Sequence, residues 1–381
     1  MTLCRRIMPV LLLVLIAQGS LFAQASETPD ADRFPLAFDV APVLWGLDLG
    51  VGYRGLALIP GKDTIFWVYG GGAFEGRTFV RMPDGSLITG AAPAGVIPTE
   101  DIFYNRGSAR WQLGIAQGFL WNPRVGSNLL EAFVFYRGRY DSNFQDDAGQ
   151  LLFSSLIPDR YGIILNSVLA GVSWSDVLFD ARNRTRSGVS AELTGEWGSP
   201  IFISTTEGFF NYIRFNLTAR GFLPVFDAAP SARINLFSVY IGDFVSLDYA
   251  LGSSVPLHIR QSFGGLDPRT GLGGALRGIN SGSLDTNLKV VNNFEIRANL
   301  PALWIQDIVP GILVYWDMGA YAQVGEGAAD PLYGFVTSVG GGVYLDVFDF
   351  AGLIGYVNYR LMGVNVDGST LTFDFDFVLK F

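Results

Sequence analysis

The chain has 381 residues, 26 Lys and Arg against 35 Asp and Glu, and a formal charge of −9. Hydrophobic residues make up 49%, aromatic residues 14% and charged residues only 16%, with 47 glycines. A soluble domain carries about 25% charge and about 7% glycine, so this composition does not suit an ordinary water-facing domain. The one continuous apolar stretch lies at the extreme N-terminus, which does not suit a bundle of membrane helices either. The other structure a bilayer tolerates is the closed β-barrel.

Residues 1–25 read as a secretory signal peptide. Arg5 and Arg6 form a basic start, Met8 to Ile16 an apolar stretch too short to span, and Ala23-Gln24-Ala25 a small-x-small cleavage site. The mature chain, residues 26–381, then carries 24 basic against 35 acidic residues, a charge of −11. That acidic excess argues against a nucleic-acid partner. The only cysteine, Cys4, falls before the apolar core, so the mature chain is expected to contain neither a disulfide nor a reactive thiol.

Beyond Ser26 the recurring pattern is alternation over roughly ten residues between turn signals, the pattern of a membrane strand. Strands are predicted near 47–58, 64–81, 109–121, 128–141, 162–179, 187–198, 209–223, 233–247, 288–300, 311–324, 334–348, 351–363 and 371–381. Residues 34–44 supply a short first strand, bringing the total to about fourteen within a range of 12 to 16. The fold class is therefore all-β, a transmembrane antiparallel barrel. Val189, Ala191, Leu193, Gly195 and Trp197 share one face and Ser190, Glu192, Thr194 and Glu196 the other, because side chains two apart on a strand point the same way. Ile213, Phe215, Leu217 and Ala219 likewise alternate with Arg214, Asn216, Thr218 and Arg220. The longest connections, 82–107, 142–160 and 248–287, all fall on the external side when counted back from a periplasmic C-terminus.

In the last strand Leu371, Phe373, Phe375, Phe377, Leu379 and the terminal Phe381 share a face opposite Thr372, Asp374, Asp376 and Lys380. Two aspartates are costly in lipid, so the phenylalanine face is expected to look outward. An alternating strand that ends on an aromatic resembles the signal by which the barrel assembly machinery recognises outer-membrane barrels. That machinery is accordingly an expected partner for the chain's own insertion.

Several segments resemble the BamA/TamA superfamily, the bacterial surface antigen barrels. Val255-Pro256-Leu257, Gln261-Ser262-Phe263-Gly264-Gly265 and Leu272-Gly273-Gly274-Ala275-Leu276-Arg277-Gly278-Ile279 are similar to the family's long loop, with its Gly-Gly segment and its hydrophobic-Arg-Gly-hydrophobic tip. Asn293-Phe294-Glu295-Ile296-Arg297-Ala298-Asn299-Leu300-Pro301 resembles the strand that follows, and Val314-Tyr315-Trp316-Asp317-Met318-Gly319 the aromatic-Asp-x-Gly strand. Asp180-Ala181-Arg182-Asn183 with Gly188 is similar to an upstream Asp-x-Arg-Asn turn, and Arg220-Gly221-Phe222-Leu223-Pro224 to the passage after it. The resemblance covers about residues 174–381 well and 34–173 loosely. It implies a role in inserting or translocating proteins or lipids, with outer-membrane lipids as surroundings. It also implies an external loop folded into the lumen, whose Arg277, beside Gly278, pairs with Asp317. Parity independently turns Asp317 inward, in register with Leu313, Tyr315 and Gly319.

Three departures stand out: family barrels usually have sixteen strands, more than are counted in this chain, the tip has Ile279 where an aromatic is commoner, and residues 26–40 leave no room for a POTRA domain. A barrel-only member is therefore expected, with client capture left to a separate periplasmic partner. Glu295, Arg297, Arg214, Arg220 and Arg360 share lumen parity and would set the field a solute meets. Catalysis is not expected, since His258 is the only histidine and lies between two apolar residues at the loop base. One histidine cannot form a His cluster for metal, and no cofactor motif is present. The alternative functions are a passive porin for small solutes and a structural surface antigen.

Overall fold

The computed structural model describes residues 36–43, 46–54, 56, 58–60, 62–78, 103–144, 162–202, 210–228, 237–260, 262–263, 276–279, 286–303, 308–324, 333–347, 351–362 and 370–379. Residues 1–25, Phe381 and the loop segment 264–275 lie outside these. Fifteen strands run in chain order: β1 (Leu36–Val43), β2 (Gly46–Tyr53), β3 (Thr64–Thr78), β4 (Phe103–Asn122), β5 (Ser127–Phe144), β6 (Gly162–Ser175), β7 (Leu178–Asp180), β8 (Thr185–Gly198), β9 (Asn211–Asp227), β10 (Ser238–Ser254), β11 (Leu288–Asn299), β12 (Ile308–Ala322), β13 (Tyr333–Val347), β14 (Ala351–Met362) and β15 (Leu371–Leu379). One helical turn, α1 (Leu257–Arg260), interrupts the connection between β10 and β11. No described helix is long and apolar enough to cross a membrane.

Each strand pairs antiparallel with its neighbour along a path of fourteen, with β7 a short extension paired only to β8. The expected count of about fourteen is thus met, including the first strand at 34–44. The ranges differ mainly at β10, which continues to Ser254 rather than stopping at Leu247. Its inward side chains past that point, Asp248 and Ala250, are buried against the lumen filling, so the ladder with β9 persists to Ser254. The connections β3–β4, β5–β6 and β10–β11 emerge at one end, here the loop end, and the opposite one is the turn end. At the margins of the sheet β1 and β15 come within 8 Å between Cα atoms. No ladder among the described residues joins them.

Parity of the alternation sets the two faces. Along β9, Ile213, Phe215 and Leu217 are exposed while Tyr212, Arg214, Asn216 and Thr218 are buried. Along β12, Ile312, Val314 and Trp316 are exposed while Leu313, Tyr315 and Asp317 are buried. The apolar residues that would form a soluble protein's core are thus on the outside, and a continuous apolar exterior of this extent marks contact with something other than water.

The glycine content has a steric role inside. Inward rings occupy the space beside glycines on adjacent strands: Tyr344 at Gly311, Tyr212 at Gly198 and Tyr321 at Gly334. A Cβ at any of these positions would enter the ring. A second apolar layer, Ala116, Phe133, Phe135 and Leu169 with Trp67 and Tyr69, fills the lumen beside β3 to β6.

Candidate functional site: the loop tip in the lumen

The connection between β10 and β11 re-enters the lumen at two points. Near its start α1 packs Ile259 against Ile163, Leu165, Phe210, Tyr212 and Ala250. Lys289 Nζ donates to the Ile259 carbonyl at 2.5 Å and Ser262 Oγ to the same oxygen at 2.8 Å. His258 sits here with its Nδ1 3.8 Å from Asp141 Oδ2, beyond hydrogen-bond reach. Burial, together with Arg139, Arg106, Arg214 and Arg137, holds its pKa well below the usual imidazole range, so the ring is neutral. Among the described residues no cluster of three metal-ligating side chains occurs.

The second re-entry is the tip. Leu276 and Phe263 pack with Val291 and Val336 against the wall at Gly319, where a Cβ would lie 2.5 Å from the Phe263 ring. This anchors Arg277 over β12. Its Nε donates to Asp317 Oδ2 at 2.8 Å and its Nη2 to Asp317 Oδ1 at 2.7 Å, a bidentate pair. Its Nη1 reaches Glu295 Oε2 at 3.1 Å, and its backbone N–H donates to Asp317 Oδ2 at 2.9 Å. The guanidinium plane lies 3.8 Å from the centroid of the Tyr315 ring. Asp317 is fully buried, and Arg277 keeps 11% of its side chain exposed. Burial alone would ease the proton off Arg277, but the hydrogen bonds and charges of Asp317 and Glu295 outweigh it and raise its pKa above the ordinary guanidinium value.

The tip backbone is gripped as well. Ser338 Oγ donates to the Arg277 carbonyl at 2.6 Å, and Arg360 donates to the Gly278 carbonyl through Nε at 3.2 Å and Nη2 at 3.1 Å. Gly278 has φ +72°, and a Cβ there would stand 2.7 Å from the Cβ of Asn358. Glycine is needed on both counts, left-handed backbone and close approach to the wall. The tip therefore touches β11, β12, β13 and β14 at once.

The other inward charges are mostly paired. Arg297 Nε donates to Glu295 Oε1 at 2.7 Å, so Glu295 is shared between two arginines. Arg214 Nε donates to Asp248 Oδ1 at 2.7 Å and stands 3.7 Å from Glu196. Arg220 lies over Phe244 at 5.2 Å and lines a polar cavity of about 360 Å³ with Arg54, Glu131 and Glu192. Phe373 and Phe375 of the last strand are 73% and 69% exposed on the outer face. Phe377 belongs to the same strand, its side chain being outside the described part, and Phe381 lies outside it altogether.

Sequence reasoning placed Arg277, Gly278 and Asp317 as a group but missed Tyr315, Ser338 and Asn358. Their shared inward parity was a readable signal, whereas the burial of the β7–β8 turn left none.

No family model and no curated protein matches the chain. Among solved structures, a BamA from Haemophilus ducreyi lacking POTRA domains 1–3 superposes with a TM-score of 0.50 at 12% identity, over 88% of this chain and 62% of that one. The fold is that of a BamA-like barrel. CdiB from Acinetobacter baumannii superposes with a TM-score of 0.49 at 12% identity, over 87% of this chain and 50% of that one. The chain thus spans less than two thirds of the length of either.

Proposed function

We propose that the chain is an integral outer-membrane barrel of the BamA/TamA superfamily that assists insertion or translocation of proteins or lipids, after loss of a signal peptide at residues 1–25. The observation that carries this reading is the pairing of a filled lumen with an unsealed wall: β1 and β15 lie side by side with no ladder between them among the described residues. Work by such a barrel is done at the seam, where an unpaired strand edge offers backbone hydrogen bonds to an incoming chain. The wall is also low there. β1 and β2 have eight residues each and β15 nine, so an eight-residue strand tilted by ~40° covers about 20 Å of height against an apolar band of about 25 Å. The bilayer is thinned where the edge is open. Arg277, Gly278 and Asp317 form the latch that keeps the loop in the lumen, and Glu295, Arg297, Arg214, Arg220 and Arg360 balance the interior charge. Phe373, Phe375, Phe377 and Phe381 form the signal for insertion by the barrel assembly machinery. The barrel works without chemistry of its own and receives clients from a separate periplasmic partner.

Depleting the protein tests the reading. Outer-membrane proteome and lipid profiles should show loss of one or more specific components within a few generations, and depletion that leaves every one at its normal level would argue for a passive porin or a surface antigen instead.

A further inference from the structure

The turn between β7 and β8 is folded under the lumen at the turn end. Asn183, Arg184 and Thr185 are buried there, and Arg184 has φ +55°, the one non-glycine residue with positive φ among the described residues. Asp180 holds the turn's shape by accepting the backbone N–H groups of Arg182 at 3.0 Å and Asn183 at 3.2 Å. The turn is then clamped to the wall. Arg182 and Asn183 donate to Asp227 at 2.5 and 2.9 Å, Ser238 Oγ donates to the Asn183 carbonyl at 2.8 Å, and Asn299 Nδ2 donates to the carbonyls of Asn183 and Arg184 at 2.9 and 3.1 Å. Asn299 is fully buried and accepts from Tyr344 Oη at 2.5 Å.

Asn299 is also the last residue of β11, whose inward side chains include Glu295 and Arg297. Starting at the loop end, Asp317 binds Arg277, Arg277 binds Glu295, and Glu295 binds Arg297. Arg297 lies 5.5 Å from the centroid of the Tyr344 ring, and Tyr344 binds Asn299, which holds the turn. From Glu295 to Asn299 the strand rises about 14 Å. The loop tip and the β7–β8 turn are therefore joined by a continuous run of buried and half-buried contacts, hydrogen bonds throughout except for the cation–π step between Arg297 and Tyr344. Moving either end requires rearranging a shared side chain: Glu295 for the loop and Asn299 for the turn.

We propose that the β7–β8 turn and the Arg277 tip form an interlock, coupled through Glu295, Arg297, Tyr344 and Asn299, so that lifting the turn from the periplasmic side loosens the loop on the outside. The proposal rests on the latch reading of Arg277 and adds to it a direction of control. It gives the turn's left-handed Arg184 a purpose, since a strained residue at a docked turn stores energy that undocking releases.

Residue-resolved amide exchange on the mature barrel in lipid nanodiscs reads both ends. The Arg277 amide reports the tip through its bond to Asp317, and the Arg182 and Asn183 amides report the turn through Asp180. Asn299→Ala should speed the Arg182 and Asn183 amides and also speed the Arg277 amide by about fivefold or more, the lower bound of ordinary coupling between sites. In an Arg297→Met background, Asn299→Ala should have no added effect on Arg277, because the run is already cut. Faster turn amides with Arg277 unchanged would overturn the interlock, as would independent, multiplying effects of the two substitutions. Ser238→Ala removes a single hydroxyl from the same clamp and carries the test in the same direction if Asn299→Ala does not fold. An Arg277 amide that exchanges in the wild type at the rate of an open loop would overturn the latch reading itself, a different result from a protected amide that ignores the turn.

Discussion

Asp317→Ala is expected to lower the unfolding free energy by about 3 kcal/mol, the low end of the range for stripping one partner from a buried ion pair. The substitution removes both bonds of the bidentate pair and the acceptor of the Arg277 backbone N–H. Glu295 stays behind and keeps part of the charge compensated, which is why the higher end is not expected. The double variant Arg277→Met with Asp317→Leu removes both charges and should cost less than Asp317→Ala alone, because the residue-277 amide still loses its acceptor but no uncompensated charge is left buried. Urea unfolding in lipid or detergent, followed by tryptophan fluorescence and by heat-modified gel mobility, measures both. Equal losses in the two variants would show that the pair contributes through packing and not through charge.

Val314→Arg is expected to cost about 2–4 kcal/mol, the penalty for an arginine on the lipid face of a barrel near the midplane. Val314 is 57% exposed on the outer face in the middle of β12. Leu361 is 52% exposed on the same face but next to the last residue of β14, so Leu361→Arg should cost only about 0–1 kcal/mol. Folding yield and unfolding midpoint in bilayers give both numbers. A wall that met water would tolerate arginine equally well at the two positions, and that result would dismiss the membrane-facing assignment of the outer surface.

The wall was the part of this protein most readily found in its sequence. Period-two alternation at Val189 to Trp197 and at Ile213 to Arg220 gives both the strand and its faces, since each side chain's direction depends only on its own parity. Strand ends were harder. Residues 248–254 look like loop because Asp248 and Gly252 are ordinary turn residues, yet Asp248 is buried against Arg214 and Gly252 takes a backbone angle of +153° where the ladder shifts register. That partnership joins residues 34 apart and leaves no local trace. The Arg277 and Asp317 pair was legible through family resemblance and through the parity of Asp317, but the grip of Ser338 and Arg360 on the tip backbone depends on how a loop folds back, which no periodicity encodes. The same holds for the buried β7–β8 turn. Asp180-Ala181-Arg182-Asn183 reads only as a turn, and its burial depends on Asp227, Ser238 and Asn299, from three other strands, converging on it.

A barrel that works at its seam must keep its lumen shut, because a large open pore would leak and would make the loop purposeless. Single-channel recording in planar bilayers tests this directly, comparing the wild type with a variant lacking residues 264–282. A wild type that is closed apart from brief openings, beside a deletion variant with a large steady conductance, is the result predicted here. A large steady conductance in the wild type, unchanged by the deletion, would contradict the plugged barrel and identify the protein as an open porin.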